Sequence, residues 1–359
     1  MSIRAEAPDH NFTEMDRARM REVIVDQMGE PAYRVEQVYR WVFQRGARSF
    51  DEMSDLPKLL RRHLTDAGYD VGRVEVGKLR ESVDGTRKLS VQLRDGGVVE
   101  TVLIPMGDGK FSQCVSTQLG CALDCKFCYT GTLGLSRHLT SGEIVDQVLI
   151  ARRSVPEDAR ITNVVYMGMG EPLHNFDAVI QSLEPLCDPD GCGFSHRRVT
   201  ISTVGLVPQI DRLGRTAPVN LAVSLNASSD EVRDEIMPVN KRYTIDDVVA
   251  ALVRYPLPAR RKMTIEYVLL GGLNDTAEDA QRLASRLAPL KRRIRVNLIP
   301  WNPFAGPGYD RPDGASVQAF RDILDRRGYT VTLRITKGLD IDAACGQLGE
   351  RPEQGETHG

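Results

Sequence analysis

Three cysteines, Cys121, Cys125 and Cys128, stand in a C-x3-C-x2-C spacing, and a fourth, Cys114, precedes them by one short stretch of strand-like sequence. Thiolate is the soft ligand that iron–sulfur clusters select, and three thiolates can hold three irons of a [4Fe–4S] cube. The remaining iron then has no protein ligand and is open to a small molecule. A tetrahedral zinc site wants a fourth ligand at similar spacing, and none follows closely. Unrelated core cysteines are the plain alternative.

Other residues suited to chemistry lie further along. Gly168-Met-Gly170-Glu171-Pro172 offers backbone free of side chains, so that its N–H and C=O groups can approach a ligand closely. Strand-to-helix turns also use glycine routinely. Ser202, Ser224-Leu225-Asn226 and Asn302 fall at the ends of strand-like runs, where hydroxyls and amides either bond a ligand or satisfy a loop. Cys345, in Ala343-Ala-Cys-Gly346, lies more than two hundred residues from the cysteine cluster, between residues slim enough to enter a crowded site. An isolated cysteine is otherwise most often a buried structural residue.

These residues need a frame. The chain has 359 residues, enough for one large or two unequal domains, and its 41% apolar share is that of a globular protein. No apolar run approaches the roughly 20 residues that span a membrane. The first eleven residues lack the basic start and apolar core of a signal peptide. Seven cysteines in a long chain of this kind point to metal or redox chemistry in the cytoplasm, not to a disulfide scaffold. A formal net charge of −2 argues against a uniformly basic nucleic-acid binder. The basic residues are nevertheless clumped, at Arg152-Arg153, His196-Arg-Arg198, Arg260-Arg-Lys262, Lys291-Arg-Arg293 with Arg295, and Arg326-Arg327. Such clusters are usually solvated helix ends, yet several on one face can meet a folded RNA.

Residues 14 to 67 read as helical, with Val35, Val38, Trp41 and Val42 at helical spacing and Arg34, Arg40 and Arg45 around them. Ser54 or Asp55 reads as a helix cap ahead of Pro57. From Val74 to Ile104 the pattern alternates, and Asp95-Gly-Gly97 marks a hairpin turn. After Lys110, strand and helix alternate, with strands at 113–118, 161–169, 198–203, 219–225, 263–270 and 295–300, and a last one at 330–336. Apolar strands alternating with helices imply a parallel sheet covered by helices. Six such units suit an incomplete (βα)6 barrel, whose chemistry gathers at the C-terminal ends of the strands. The organisation expected is a helical accessory domain (1–72), a β-hairpin extension (73–109), an α/β barrel core (110–348) and a mobile polar tail (349–359).

With that context the cysteine motif resembles the radical S-adenosylmethionine (SAM) signature. The resemblance implies a [4Fe–4S] cluster on Cys121, Cys125 and Cys128, whose open iron chelates SAM. It also implies SAM contacts from Gly170, Glu171, Ser202, Ser224, Leu225, Asn226 and Asn302. More specifically, Cys114-Val-Ser-Thr-Gln, Asn297-Leu-Ile-Pro-Trp-Asn302-Pro-Phe, Asp342-Ala-Ala-Cys-Gly-Gln-Leu348 and Tyr33-Arg-Val-Glu-Gln-Val-Tyr-Arg-Trp41 resemble the RlmN/Cfr family of RNA methyltransferases. That resemblance covers nearly the whole chain.

What the family resemblance implies answers a chemical problem. Adenine C2 is electron-poor, so polar methyl transfer to it from SAM is not feasible. Two SAM molecules are therefore spent per turnover, one to methylate Cys345 and one to generate a radical that activates that methyl group. Cys114 then releases the product and leaves a transient Cys114–Cys345 disulfide. Glu100, in Val99-Glu-Thr101, maps to the proton acceptor, although a solvated hairpin glutamate is the plain alternative. The implied partners are 23S rRNA near the peptidyl-transferase centre, tRNA at the adenosine 3′ of the anticodon, and an unidentified reductase. A monomer without membrane contact is expected. Asn226 departs from the histidine common in the family's Ser-Leu-His-Ala segment, and Cys187 and Cys192 have no matching role. Three other readings compete: Cfr-type C8 methylation, a passive iron–sulfur or zinc protein that binds RNA, and a radical SAM enzyme for a small molecule.

Overall fold

Runs of three to eight residues, most of them apolar, form a ten-stranded sheet in the computed structural model, which describes residues 10–349 apart from positions 73 and 307. Its strands are β1 (Glu75–Glu81), β2 (Arg87–Gln92), β3 (Val98–Pro105), β4 (Lys110–Cys114), β7 (Arg160–Tyr166), β8 (Val199–Thr203), β9 (Asn220–Ser224), β10 (Met263–Leu269), β11 (Ile294–Pro300) and β12 (Val331–Leu333), in that spatial order. Two short strands, β5 (Gln118–Gly120) and β6 (Leu135–His138), pair separately beside the cysteine loop. From β4 onward every neighbour in the large sheet is parallel, whereas β1 to β4 pair antiparallel. Each parallel step needs a crossover, and helices supply most of them.

The helices, in chain order, are α1 (Arg17–Arg21), α2 (Tyr33–Tyr39), α3 (Lys58–Asp66), α4 (Tyr129–Thr132), α5 (Ser141–Arg152), α6 (Phe176–Cys187), α7 (Val207–Thr216), α8 (Asp230–Ile236), α9 (Ile245–Arg254), α10 (Ala277–Arg286) and α11 (Gly314–Arg326). Capping boxes set the starts of α5, α9 and α10, with Thr140, Thr244 and Thr276 bonding the backbone three residues on. None of the described helices is long and apolar enough to cross a membrane.

One cavity is lined by the ends of β7, β8, β9, β10 and β11, so the parallel part curls around it. The strand at one end, β12, does not pair with β4 at the other, and the barrel stays open. This is the α/β partial barrel that the alternation predicts. Three expectations change. The hairpin region does not stand apart, because β3 pairs with β4 and carries β1 and β2 into the same sheet. The strand expected over 113–118 stops at Cys114, and Gln118 opens β5 instead. The helix expected to be capped by Ser54 or Asp55 begins after Pro57, with no side-chain cap. Asp55 instead accepts a bond from the Trp41 indole at 2.5 Å. Of the tail expected over 349–359, all but Gly349 lies outside the described residues.

The helical region packs into the common core through Phe12, Met20, Val38 and Phe43, which join Ile144 and Val148 of α5 in one apolar cluster. Glu14 fixes the orientation. Its carboxylate accepts the Ser141 hydroxyl at 2.9 Å and the Gly142 amide at 2.8 Å, at the positive end of α5.

Arg233, on α8, is fully buried and donates to four acceptors: the carbonyls of Leu225 (3.0 Å), Tyr243 (3.0 Å) and Val204 (2.7 Å), and Asn240 Oδ1 (2.8 Å). Burial pulls its pKa down to about 10. Arg233→Met would leave these buried acceptors without a partner, at a cost of about 3–5 kcal/mol. Chemical denaturation of the metal-free chain should show a lower unfolding midpoint. An unchanged midpoint would mean that the loops after β8 and β9 do not depend on this side chain.

Candidate active site

The cysteine loop between β5 and α4 is held from both sides. Cys121 N–H donates to Gly134 C=O at 2.8 Å, Lys126 N–H to Ile236 C=O at 2.9 Å, and the Trp301 indole to Phe127 C=O at 3.0 Å. At the loop's entry Gly120 has φ +80°, and a Cβ there would stand 1.8 Å from Gly134 C=O, so only glycine fits. Cys121, Cys125 and Cys128 all line the large cavity, which encloses about 1010 Å³ out to its mouth. Burial pushes the Cys121 thiol up to about 12, with Glu171 and Cys128 adding to the rise, and holds Cys125 and Cys128 above the usual thiol value. A bound metal reverses that preference by replacing the proton with a larger charge.

Three thiols lining one cavity are the soft donors that an iron–sulfur cluster selects, so the donor set fits a cluster with three protein ligands.

Opposite these thiols, the turn after β7 presents bare backbone to the cavity. Gly170 has φ +97°, and a Cβ there would stand 2.5 Å from Gln118 Cβ. Gln118 Oε1 accepts the Glu171 amide at 2.7 Å. The Glu171 carboxylate is buried and accepts the amides of Leu173 (3.0 Å) and Val204 (2.9 Å). Burial, opposed by these bonds, pushes its pKa up to about 7. A buried carboxyl beside exposed glycine backbone suits an ammonium-bearing ligand, whose charge would favour the ionised form.

Ser202, Ser224, Asn226 and Asn302 also reach the cavity. The fully buried Leu225 side chain is not among those lining the cavity. Asn226 sits in the left-handed region at φ +59° and is committed to its own loop. Its Oδ1 accepts Val268 N–H at 2.9 Å, and its C=O accepts the Asn274 amide at 2.7 Å. Asn302 donates to Cys345 C=O at 3.0 Å while accepting from Arg311 (3.2 Å) and Thr336 (2.9 Å). It holds the cysteine segment as well as facing the cavity.

Cys345 rides on a strap, residues 342–349, that crosses the cavity. Tyr129 N–H donates to Gly346 C=O at 2.7 Å and the Thr130 hydroxyl to Leu348 C=O at 2.6 Å, so the strap is bonded to the cysteine loop's own helix α4. On its far side Cys345 borders a second, smaller cavity of about 330 Å³, with Ile104, Ile299, Arg334 and Lys337 in its wall. Cys345 therefore stands where two cavities meet.

Cys114 ends β4, and a charge on Cys345 adds to the rise of its thiol. Burial is the larger cause, and together they push Cys114 up to about 12, with Arg334 opposing. Burial likewise raises Cys345, again against Arg334. Glu100 is not a solvated hairpin residue. It is buried on β3, and its Oε2 accepts the Gly349 amide at 2.7 Å. Cys187 and Cys192 lie away from the site, at the end of α6 and in the loop after it, where the Cys192 thiol donates to Phe43 C=O at 3.4 Å.

Glu266 lines the first cavity and Arg334 the second, and neither is assigned a role by the sequence. Glu266, on β10, is buried in the cavity wall and accepts the Ser202 hydroxyl at 3.2 Å. Arg334 feels the charges of Cys345, Glu266 and Cys114 together. A lone carboxylate inside the apolar run Met263–Leu269 was the available signal for the first.

Comparisons with known proteins agree along the chain. Residues 115–284 match the model of the radical SAM superfamily, and residues 10–68 that of the ribosomal RNA large subunit methyltransferase N-terminal domain. A dual-specificity RNA methyltransferase RlmN from Geobacter sulfurreducens is 49% identical, over 89% of this chain and 87% of its own. One from Marinobacter nauticus is 44% identical, over 96% and 93%. A radical SAM methyltransferase from Sphaerobacter thermophilus superposes with a TM-score of 0.89 at 41% identity, covering 94% of this chain and 98% of that one.

Proposed function

Because this chain belongs to the RlmN family of dual-specificity RNA methyltransferases, we propose that it methylates C2 of adenosine in 23S rRNA and in tRNA. The observation that carries this reading is the position of Cys345, on a strap between two cavities, where its charge adds to the rise of the Cys114 thiol. One cavity has the donors for a cluster and SAM, and the other has Arg334 and Lys337, cations suited to the phosphates that flank a base.

Cys121, Cys125 and Cys128 would hold three irons, and the backbone at Gly170 with the Glu171 carboxylate would receive the SAM ammonium. When bound, the cluster and SAM supply a methyl group and, by one-electron cleavage of SAM, a carbon radical able to take a hydrogen atom. Cys345 accepts the methyl group on sulfur and presents it to the base in the second cavity. Glu100 accepts the proton that leaves the ring carbon once the new carbon–carbon bond has formed. Cys114 then attacks the Cys345 sulfur. The sulfur–carbon bond breaks with its electron pair going to carbon, which takes a proton and becomes the product methyl group. The single electron left over from the radical addition would pass to a one-electron acceptor, a role the oxidised cluster would supply. The resulting disulfide needs two electrons from an external thiol reductant before the next cycle. A one-electron donor, a reductase, is needed for the SAM cleavage. Every protein group invoked belongs to one chain, which supports a monomer acting in the cytoplasm, where both RNAs reside.

The target base must leave its stack to enter the second cavity. Nucleoside mass spectrometry of rRNA and tRNA from cells with and without the gene tests the reading. 2-Methyladenosine should disappear from both RNAs when the gene is deleted. If it persists, or if 8-methyladenosine disappears instead, the proposed reaction is wrong.

A further inference from the structure

Glu100 is held by more than the strap. Its Oε1 accepts from the Lys88 ammonium at 2.8 Å, and both side chains are nearly sealed from solvent, at 6% and 8% exposure. The same ammonium donates to Asp342 C=O at 3.1 Å. Glu100 Oε2 meanwhile accepts Gly349 N–H at 2.7 Å. One ion pair thus anchors both ends of the strap, residues 342 and 349, with Cys345 between them. The sheet explains how. Ser90 is the direct partner of Glu100 across β2 and β3, and Lys88, two residues back, is its diagonal neighbour on the same face.

An ion pair this deep is seldom more stabilising than an apolar pair of the same shape, because two charges leave water. The opposite face of β2, with Leu89 and Val91 fully buried, has the apolar packing that stability alone would favour. Resting on the reading of Glu100 as proton acceptor, we propose that Lys88 is a positioning residue for that step. It fixes the Glu100 carboxylate relative to the strap, so that the base and the Cys345 carrier move as one body. The proton passes from the ring carbon to the Glu100 carboxylate, and its electron pair stays in the ring. Lys88, already an ammonium, takes no proton.

The test uses the reconstituted enzyme, SAM, a reductant and an RNA stem-loop, with wild type, Lys88→Met, Lys88→Arg and Glu100→Gln compared in single turnovers. Lys88→Met should load the Cys345 methyl group and form 5′-deoxyadenosine as wild type does. Its methylated adenosine should fall about tenfold or more, part of the roughly 10²–10⁴-fold attributed to a placed general base, while a covalent protein–RNA adduct accumulates. Lys88→Arg, which keeps a cation and two or more donors, should restore most of the product. Free release of product by Lys88→Met, or an equal fall in every readout, would overturn the inference.

Glu100→Gln separates the two layers of the argument. Normal turnover by Glu100→Gln removes the proton-acceptor reading itself. Adduct from Glu100→Gln but none from Lys88→Met removes the Lys88 inference alone. Amide exchange over residues 342–349 in the metal-free chain gives a reading free of turnover. It should be faster in Lys88→Met and normal in Lys88→Arg, and unchanged exchange in Lys88→Met overturns the anchoring.

Discussion

Cys345→Ala is expected to abolish methyl transfer to RNA, a loss of about 10⁴-fold or more, because the group that becomes covalently loaded is gone. SAM affinity should stay within a few-fold of wild type. The bonds that seat the strap run through its backbone, from Asn302 to Cys345 C=O and from Tyr129 to Gly346 C=O, so alanine leaves the cavity wall in place. Intact-protein mass spectrometry should find a methyl group on the wild-type chain and none on the variant. A variant that still methylates adenosine would show that the methyl group travels by another route, and the proposed function would lose its carrier.

Cys114→Ala should fail later. Methyl loading of Cys345 and attack on the base do not involve Cys114, whereas release does. The expected result is a protein–RNA species that survives denaturation, approaches one RNA per chain and shrinks to one nucleotide on nuclease digestion. Catalytic turnover should drop by about 10³-fold or more, as expected when a nucleophile in a two-step sequence is removed. Stability should change little, since a buried Cys behaves as a small hydrophobe and Thr101 bonds the main-chain carbonyl of residue 114 at 2.7 Å. If Cys114→Ala releases product freely, Cys345 is not the sulfur that must be attacked.

The sequence made the cysteine loop legible because its three candidate ligands lie within eight residues, so spacing alone points to the chemistry. Strand ends were equally readable. Alternation of apolar strands and helices fixes which end of each strand faces the cavity, and Ser202, Ser224 and Asn302 followed from it. Residues whose role depends on pairing between distant strands were not readable. Lys88 carries no sequence signal of its own, and the pairing of β3 with β4 and the return of the strap bury it. Arg334 needed the same tertiary closure to meet Cys114 and Cys345. The helix start at Pro57 was misjudged because Asp55, a good cap by type, bonds Trp41 instead.

The strap also dictates an order of construction. Its anchors join positions separated by more than two hundred residues, Lys88 to Asp342, Thr130 to Leu348 and Glu100 to Gly349. A ribosome delivers the barrel and its three thiols long before residues 342–349 emerge. The cavity wall that carries Cys121, Cys125 and Cys128 is therefore open on that side while the chain is being made and is closed there only when the strap docks. A cluster held by those thiols would have its widest access before that moment.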